Sequence, residues 1–260
     1  MDKVKQIAKM IDHSLLHPTM TDKDLREGCE LAKKYDVASV CIKPYAVREA
    51  VKWLEGSDVM LGTVVGFPHG NSAIEVKVAE TLEAIRDGAV EIDMVVNIGK
   101  VLGEDWDYVR NEIAAVTETC HQYKAVVKVI FENDYLPDDK YKIRLCEICN
   151  EVKTDFIKTS TGYGFMKGKD GKYSYQGATP KDLKLMRMYS SQQVQVKAAG
   201  GVRTLEDLLK VKRLGVTRVG ATATAAIVEA AKIKYSKKQA TAKKKTPQKR
   251  KTTKSKDLGY

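Results

Sequence analysis

Residues 156–164 read FIKTSTGYG. Phe156 and Ile157 open a short apolar run of the kind that forms a buried strand, yet Lys158 stands inside it, where an ammonium group is expensive to keep. Residues 194–203, VQVKAAGGVR, repeat the arrangement with Lys197. In both places the strand pattern runs into glycine and then toward a helical pattern.

Outward from these two stretches the same unit recurs. The apolar runs MIDHSL, ASVCI, LGTVVG, EIDMVV, VVKVIF, FIKTST, QVKAAG and RVGAT make eight strand candidates within residues 1–231. Amphipathic segments lie between them. TDKDLREGCELAKKYD starts at Thr21 or Asp22 as N-cap, SAIEVKVAETLEAIRDG closes at Gly88, and TPKDLKLMRM and TLEDLLKVKRLG begin at Thr179 and Thr204. Strict alternation of strand and helix implies a parallel sheet with helical crossovers. Eight such units in about 230 residues predict an α/β fold, a (β/α)8 TIM barrel in a single domain.

Side chains alternate along a strand, so Phe156, Lys158 and Ser160 share one face, and Gln195, Lys197 and Ala199 share another. The apolar Val194 and Val196 face suits the helix layer, which leaves Lys197 in the barrel interior. The same logic puts Asp12, Asp93 and Lys128 inside. Three strand lysines and two strand aspartates converging in one barrel point to a site, because such crowding perturbs their pKa values. A partly desolvated lysine near other cations becomes a neutral amine that attacks a carbonyl. The resulting protonated imine stabilises a neighbouring carbanion as an enamine, which is the chemistry of a class I aldolase. These residues by themselves do not decide whether Lys158 or Lys197 is the nucleophile.

The glycine turns supply an anion site. KAAGGVRT runs through Gly200 and Gly201 toward a helix, and RVGATATAAIV does the same through Gly220 and Ala221. Backbone N–H groups at such strand-to-helix turns bind phosphate, and in barrels that site commonly follows strands seven and eight.

The composition narrows the alternatives. Cys29, Cys41, Cys120, Cys146 and Cys149 form an irregular set, of which Cys146 and Cys149 share a helical face, so reduced core cysteines are expected. His13, His17, His69 and His121 show no metal-binding spacing, and neither a metal nor a cofactor is expected. No run of eighteen apolar residues occurs, and MDKVKQIAKMIDHSLL lacks the apolar stretch of a secretory signal, so a cytoplasmic protein without membrane contact is expected. The net charge of +11 resides at one end: of 45 basic and 34 acidic residues, twelve basic residues and one acid lie from Lys232 onward, leaving 33 of each in the remainder. Residues 232–260 are expected to be a disordered basic tail beyond a domain boundary near Ala231. Nucleic-acid binding through this tail is the less favoured reading, since its tyrosines, Tyr235 and Tyr260, stand near its two ends and no aromatic residue interleaves among the lysines between them to stack on bases.

IDHSLL, EIDMVVNIG, FIKTSTGYG, KAAGGVRT and RVGAT, in this order, resemble the deoxyribose-phosphate aldolase family over roughly residues 5–230. The resemblance implies metal-free, reversible class I cleavage of 2-deoxy-D-ribose 5-phosphate to D-glyceraldehyde 3-phosphate and acetaldehyde, in deoxyribonucleotide catabolism. By position, Lys158 is similar to the Schiff-base lysine and Lys197 to the second lysine that depresses its pKa. Asp93 matches the acid-base aspartate, and Asp12 the strand-one aspartate that organises the substrate hydroxyl and the lysines. Phosphate is expected on Gly162, Gly200, Gly201, Gly220 and Thr222; Lys128 and Thr161 are further candidate site residues. Two departures stand out: GATAT replaces a serine-rich stretch, although Thr222 keeps a hydroxyl, and Tyr163 stands where some relatives have lysine. Some family members end in a tyrosine that reaches the active site, and Tyr260 is terminal here. Assembly into a homo-oligomer, a dimer or tetramer, is expected. The alternatives are another lysine-dependent barrel aldolase, or a polyanion-binding protein acting through the tail.

Overall fold

The computed structural model describes residues 2–168 and 170–243, with side chains as far as Ser236. After a short helix α1 (Lys3–Ala8), the eight expected strands form as β1 (Ile11–Leu15), β2 (Ser39–Ile42), β3 (Met60–Val65), β4 (Glu91–Val95), β5 (Val126–Ile130), β6 (Phe156–Lys158), β9 (Gln195–Ala199) and β10 (Arg218–Ala221). They close into one parallel barrel in the order β1-β2-β3-β4-β5-β6-β9-β10 and back to β1. Around it run α2 (Asp22–Tyr35), α3 (Val47–Trp53), α4 (Ile74–Arg86), α5 (Ile98–Leu102), α6 (Trp106–Gln122), α7 (Asp139–Val152), α8 (Pro180–Tyr189), α9 (Leu205–Arg213) and α10 (Thr224–Lys243). The expected barrel is therefore observed. Among the described residues no helix is long and apolar enough to cross a membrane.

Side-chain capping fixes the starts of α2, α8 and α9. Thr21 accepts from Asp24 N while Asp24 accepts from the Thr21 backbone, and Thr204 and Asp207 form the same reciprocal box; each such cap contributes about 1 kcal/mol by satisfying otherwise orphaned N–H groups. Thr179 caps α8, whose first residue is Pro180. The buried faces keep helical spacing, Leu25, Cys29 and Ala32 on α2 and Leu205, Leu208 and Val211 on α9. Gly28 of α2 lies so close to β1 that a Cβ there would meet the Leu15 side chain at 2.3 Å.

The period of two along each strand sorts the residues into two layers. Val40 and Ile42, Ile92 and Met94, Val127 and Val129, and Val196 and Ala198 join one apolar core between sheet and helices. The opposite face of the same strands carries Glu91 and Asp93, Lys128, and Lys197, all buried. The barrel is consequently held together from outside, by apolar burial worth roughly 1.5–3 kcal/mol per large side chain, and its inside is free to be charged.

Three features were not legible in the sequence. Helix α10 runs on past Ala231, the boundary expected from the sequence, while its core-packed residues Ile227, Val228 and Ala231 lie at or before that position. The tail from residue 244, Tyr260 included, lies outside the described residues. A small antiparallel hairpin, β7 (Met166–Lys167) and β8 (Tyr173–Ser174), interrupts the connection from β6 to α8. It is anchored by Asp134, which accepts from Gln176 N and Gly177 N.

The third is a buried ion pair between α4 and α6. Lys77 Nζ donates to Glu112 Oε1 at 2.6 Å and to the carbonyls of Gly70 and Val95, each at 2.7 Å. Glu112 Oε2 accepts from Asn97 N at 2.8 Å, so one pair pins the loops that leave β3 and β4. Both side chains are fully buried, and a single truncation strands the partner charge. Lys77→Met is therefore expected to cost about 3–5 kcal/mol, read as a lower urea midpoint. A midpoint equal to that of the unaltered protein would refute the pinning role.

Candidate active site

Seven charged side chains meet inside the barrel. Asp93 on β4 is the hub: its Oδ2 accepts from Lys158 Nζ at 2.8 Å and from Lys197 Nζ at 2.7 Å, while its Oδ1 accepts from Lys128 Nζ at 2.8 Å. Lys128 also donates to Glu91 Oε2 at 2.6 Å. Lys197 pairs with Asp12 Oδ2 at 2.5 Å. Arg218 closes the cluster, donating from Nε to Asp12 Oδ1 at 2.6 Å and from Nη2 to both Glu91 oxygens at 2.8 and 2.9 Å.

The local sequence explains the meeting. Lys158, Lys197 and Arg218 are register partners on the adjacent strands β6, β9 and β10, and Asp93 and Lys128 are partners on β4 and β5. All lie on the inward-facing parity, so barrel closure brings together groups far apart in the chain.

The two lysines on the Asp93 oxygen differ in company. Lys197 holds two carboxylates, and although burial alone would lower its pKa, Asp12 and Asp93 prevail and raise it. Lys158 holds the Asp93 oxygen alone. There burial, aided by the nearby Lys197 cation, outweighs Asp93 and lowers the pKa below the ordinary lysine value. Lys128, bound to Asp93, Glu91 and Asp12, is raised despite burial. Burial would raise the aspartates, but the surrounding lysines, with Arg218 at Asp12, hold both well below the usual carboxylate range.

A cavity of about 780 Å³ opens above the cluster at the C-terminal ends of the strands. Lys158, Lys197 and Asp12 line its floor, and Asp93 and Lys128 lie beneath it. A model of the DeoC/LacD family aldolases matches residues 6–230. The chain belongs to that family of aldolases. It is 53% identical over 211 residues to a deoxyribose-phosphate aldolase from Rhodopirellula baltica, covering 81% of this chain and 83% of the relative. It is 45% identical over 202 residues to one from Treponema denticola, covering 78% and 88%. The structure of the tetrameric deoxyribose phosphate aldolase from Aeropyrum pernix superposes with a TM-score of 0.78 at 28% identity, covering 88% of this chain and 92% of that one.

In the aldolase cavity the glycine loops face the lysines. Gly162, Gly200, Gly201, Gly220 and Thr222, all expected from the sequence, line it together with Arg203. Gly162, Gly200 and Gly201 have φ of 89°, 86° and 87°, a left-handed conformation that residues with a Cβ rarely adopt. Tyr163 also lines the cavity and packs edge-on against Phe67 at 5.6 Å between centroids.

Thr161 is placed by a residue the sequence reading missed. Glu132, just after β5, accepts from Thr161 N at 3.2 Å and from Thr161 Oγ1, and its burial raises its pKa. A Cβ on Gly164 would meet the Glu132 carboxyl at 2.8 Å, so the stretch after Lys158 is folded around this side chain. Nothing in the pattern around Glu132 announces it. Glu91 and Arg218 were also missed, though each stands on the inward parity of a strand already recognised, two residues before Asp93 and Gly220. Phe165 and Tyr175, stacked edge-on at 5.2 Å, form the wall contributed by the hairpin.

Proposed function

We propose that this aldolase reversibly cleaves 2-deoxy-D-ribose 5-phosphate to D-glyceraldehyde 3-phosphate and acetaldehyde through an imine on Lys158. The observation that carries the assignment is that Lys158, of the three interior lysines, is the one whose amine is pulled below its ordinary pKa while it lines the cavity. Its neutral amine attacks C1 of the open-chain sugar, and loss of water gives the protonated imine. Removal of the C3 hydroxyl proton then breaks the C2–C3 bond, whose electrons pass into the enamine. Protonation at C2 and hydrolysis release acetaldehyde and return the amine.

Lys197 is the proton reservoir in this scheme. It shares Asp93 Oδ2 with Lys158, at 2.7 and 2.8 Å, so a proton leaving one amine has a short path to the other. Asp93 stays ionised and holds both, and Asp12 steadies Lys197. Phosphate is held by the loops of Gly162, Gly200, Gly201, Gly220 and Thr222, with the start of α9 adding its dipole. Buried free cysteines fit a reducing cytoplasmic setting, and the tetramer of the Aeropyrum relative favours a homo-oligomer.

Borohydride reduction in the presence of acetaldehyde, followed by peptide mapping, tests the assignment. An ethyl adduct on Lys158 is the expected result; one on Lys197 alone, or none, overturns it. The anion site has its own test. Because binding energy at the phosphate is used to position C1 and C3, unphosphorylated deoxyribose should show kcat/KM lower by about 10²–10³-fold. Equal turnover of both sugars would sink the phosphate assignment.

A further inference from the structure

Among the described residues the interior cluster does not balance. Four cations, Lys128, Lys158, Lys197 and Arg218, face three carboxylates, Asp12, Glu91 and Asp93. Arg218 takes a large share of the negative charge, with bonds to Asp12 and both Glu91 oxygens and a further one to Ser39 Oγ at 3.0 Å. A guanidinium does not give up its proton in a protein. Lys128 and Lys197 each hold at least two carboxylates. The shortfall falls on Lys158, whose one carboxylate oxygen is shared with Lys197.

We propose that Arg218, with Glu91 as its buried counter-ion, is a positioning residue for the aldol reaction: by occupying carboxylate charge that the lysines would otherwise use, it makes Lys158 the amine that most readily gives up its proton. The inference rests on Lys158 being the nucleophile, as proposed above. Neither Arg218 nor Glu91 lines the cavity, so neither acts by touching substrate.

The groups around Lys158 leave few rival explanations. From β1 come Asp12 and His13, from β2 Cys41, from β4 Glu91 and Asp93, from β5 Lys128 and beyond it Glu132, from β9 Lys197, and from β10 Arg218; β3 contributes no ionisable side chain. Burial brings His13 down to about 4 and pushes Cys41 up to about 11, so both are neutral near pH 7. The Glu132 carboxyl is held by Thr161 and makes no ion pair with Lys158, although the two interact through space; burial pushes its pKa up, which weakens it as a counter-charge.

The sign follows from charge. Removing a cation makes Lys158 easier to protonate, so the neutral amine appears at higher pH. Removing a carboxylate does the reverse, and also frees Lys128 and Arg218 to compete for Asp93 and Asp12.

The test is the pH dependence of borohydride trapping of acetaldehyde on Lys158 in the full-length protein, with thermal unfolding recorded for each variant. Arg218→Met should move the acid limb up by about one pH unit, about tenfold less adduct at a given pH below the limb, as expected for one buried charge lost at short range. Glu91→Gln should move it down by a similar amount. The double variant should return close to the unaltered profile, and Arg218→Lys should leave it nearly in place. Unchanged limbs in both single variants, or shifts of the same sign, overturn the inference, since general loosening of the barrel has no reason to reverse sign. Where Arg218→Met is too unstable to measure, Glu91→Gln decides by itself, and absence of a downward shift overturns the proposal. Failure of the unaltered protein to form an adduct on Lys158 would instead remove the function assignment on which it stands.

Discussion

Lys158→Ala is expected to abolish cleavage while leaving the protein folded. Without the amine no imine forms, and kcat/KM should fall by at least about 10⁴-fold, the scale on which a covalent nucleophile contributes. Thermal stability should be unchanged or raised. Lys158 is the cation in excess inside the barrel, and its removal leaves Lys128, Lys197 and Arg218 against Asp12, Glu91 and Asp93. Loss of activity with loss of folding would show that Lys158 holds the barrel together and would weaken the case for its chemistry. Residual cleavage above about a hundredth of the original rate would move the nucleophile elsewhere.

Asp93→Asn should have the opposite profile, with both activity and stability collapsing. The fully buried Asp93 carboxylate binds three ammonium groups, and an amide offers no charge to replace it. Four cations would then face two carboxylates, and breaking such a buried cluster costs about 3–5 kcal/mol, read from urea unfolding. Activity should fall by about 10³-fold in kcat, because Lys158 and Lys197 lose the carboxylate charge through which they exchange a proton and by which they are aimed. A variant as stable as the unaltered protein would show that the cluster is not held by Asp93. A variant with near-normal kcat would remove Asp93 from the proton path.

The contrast between these two substitutions locates what could be read in advance. FIKTST and QVKAAG betray their strands because alternation is a local property of the extended backbone. The same parity puts Lys158, Lys197, Asp93, Lys128 and Asp12 inside before any contact is known. Thr21, Thr179 and Thr204 announce their helices for an equally local reason, since a cap bonds a backbone N–H only two or three residues away. The end of the barrel was less legible: α10 continues past Ala231 through a stretch whose lysines resemble the tail that follows.

Other features depended on distance in space. Glu132 and Thr161 are 29 residues apart, Lys77 and Glu112 35, and Glu91 and Arg218 127. No periodicity links such positions. The hairpin that brings Phe165 and Tyr175 to the cavity was equally hidden, since Met166–Lys167 and Tyr173–Ser174 are too short and exposed to leave an apolar pattern.

The sequence by itself determined the eightfold strand and helix alternation, the inward parity of the charged residues and the glycine turns above them, because each depends on dihedral preferences and spacing within one element. The tertiary structure alone decided which lysine is short of a counter-ion. Asp93 reaches Lys158 across 65 residues and Lys197 across 104, and the balance of burial against paired charge at each amine exists only once the barrel has closed and water has left its interior.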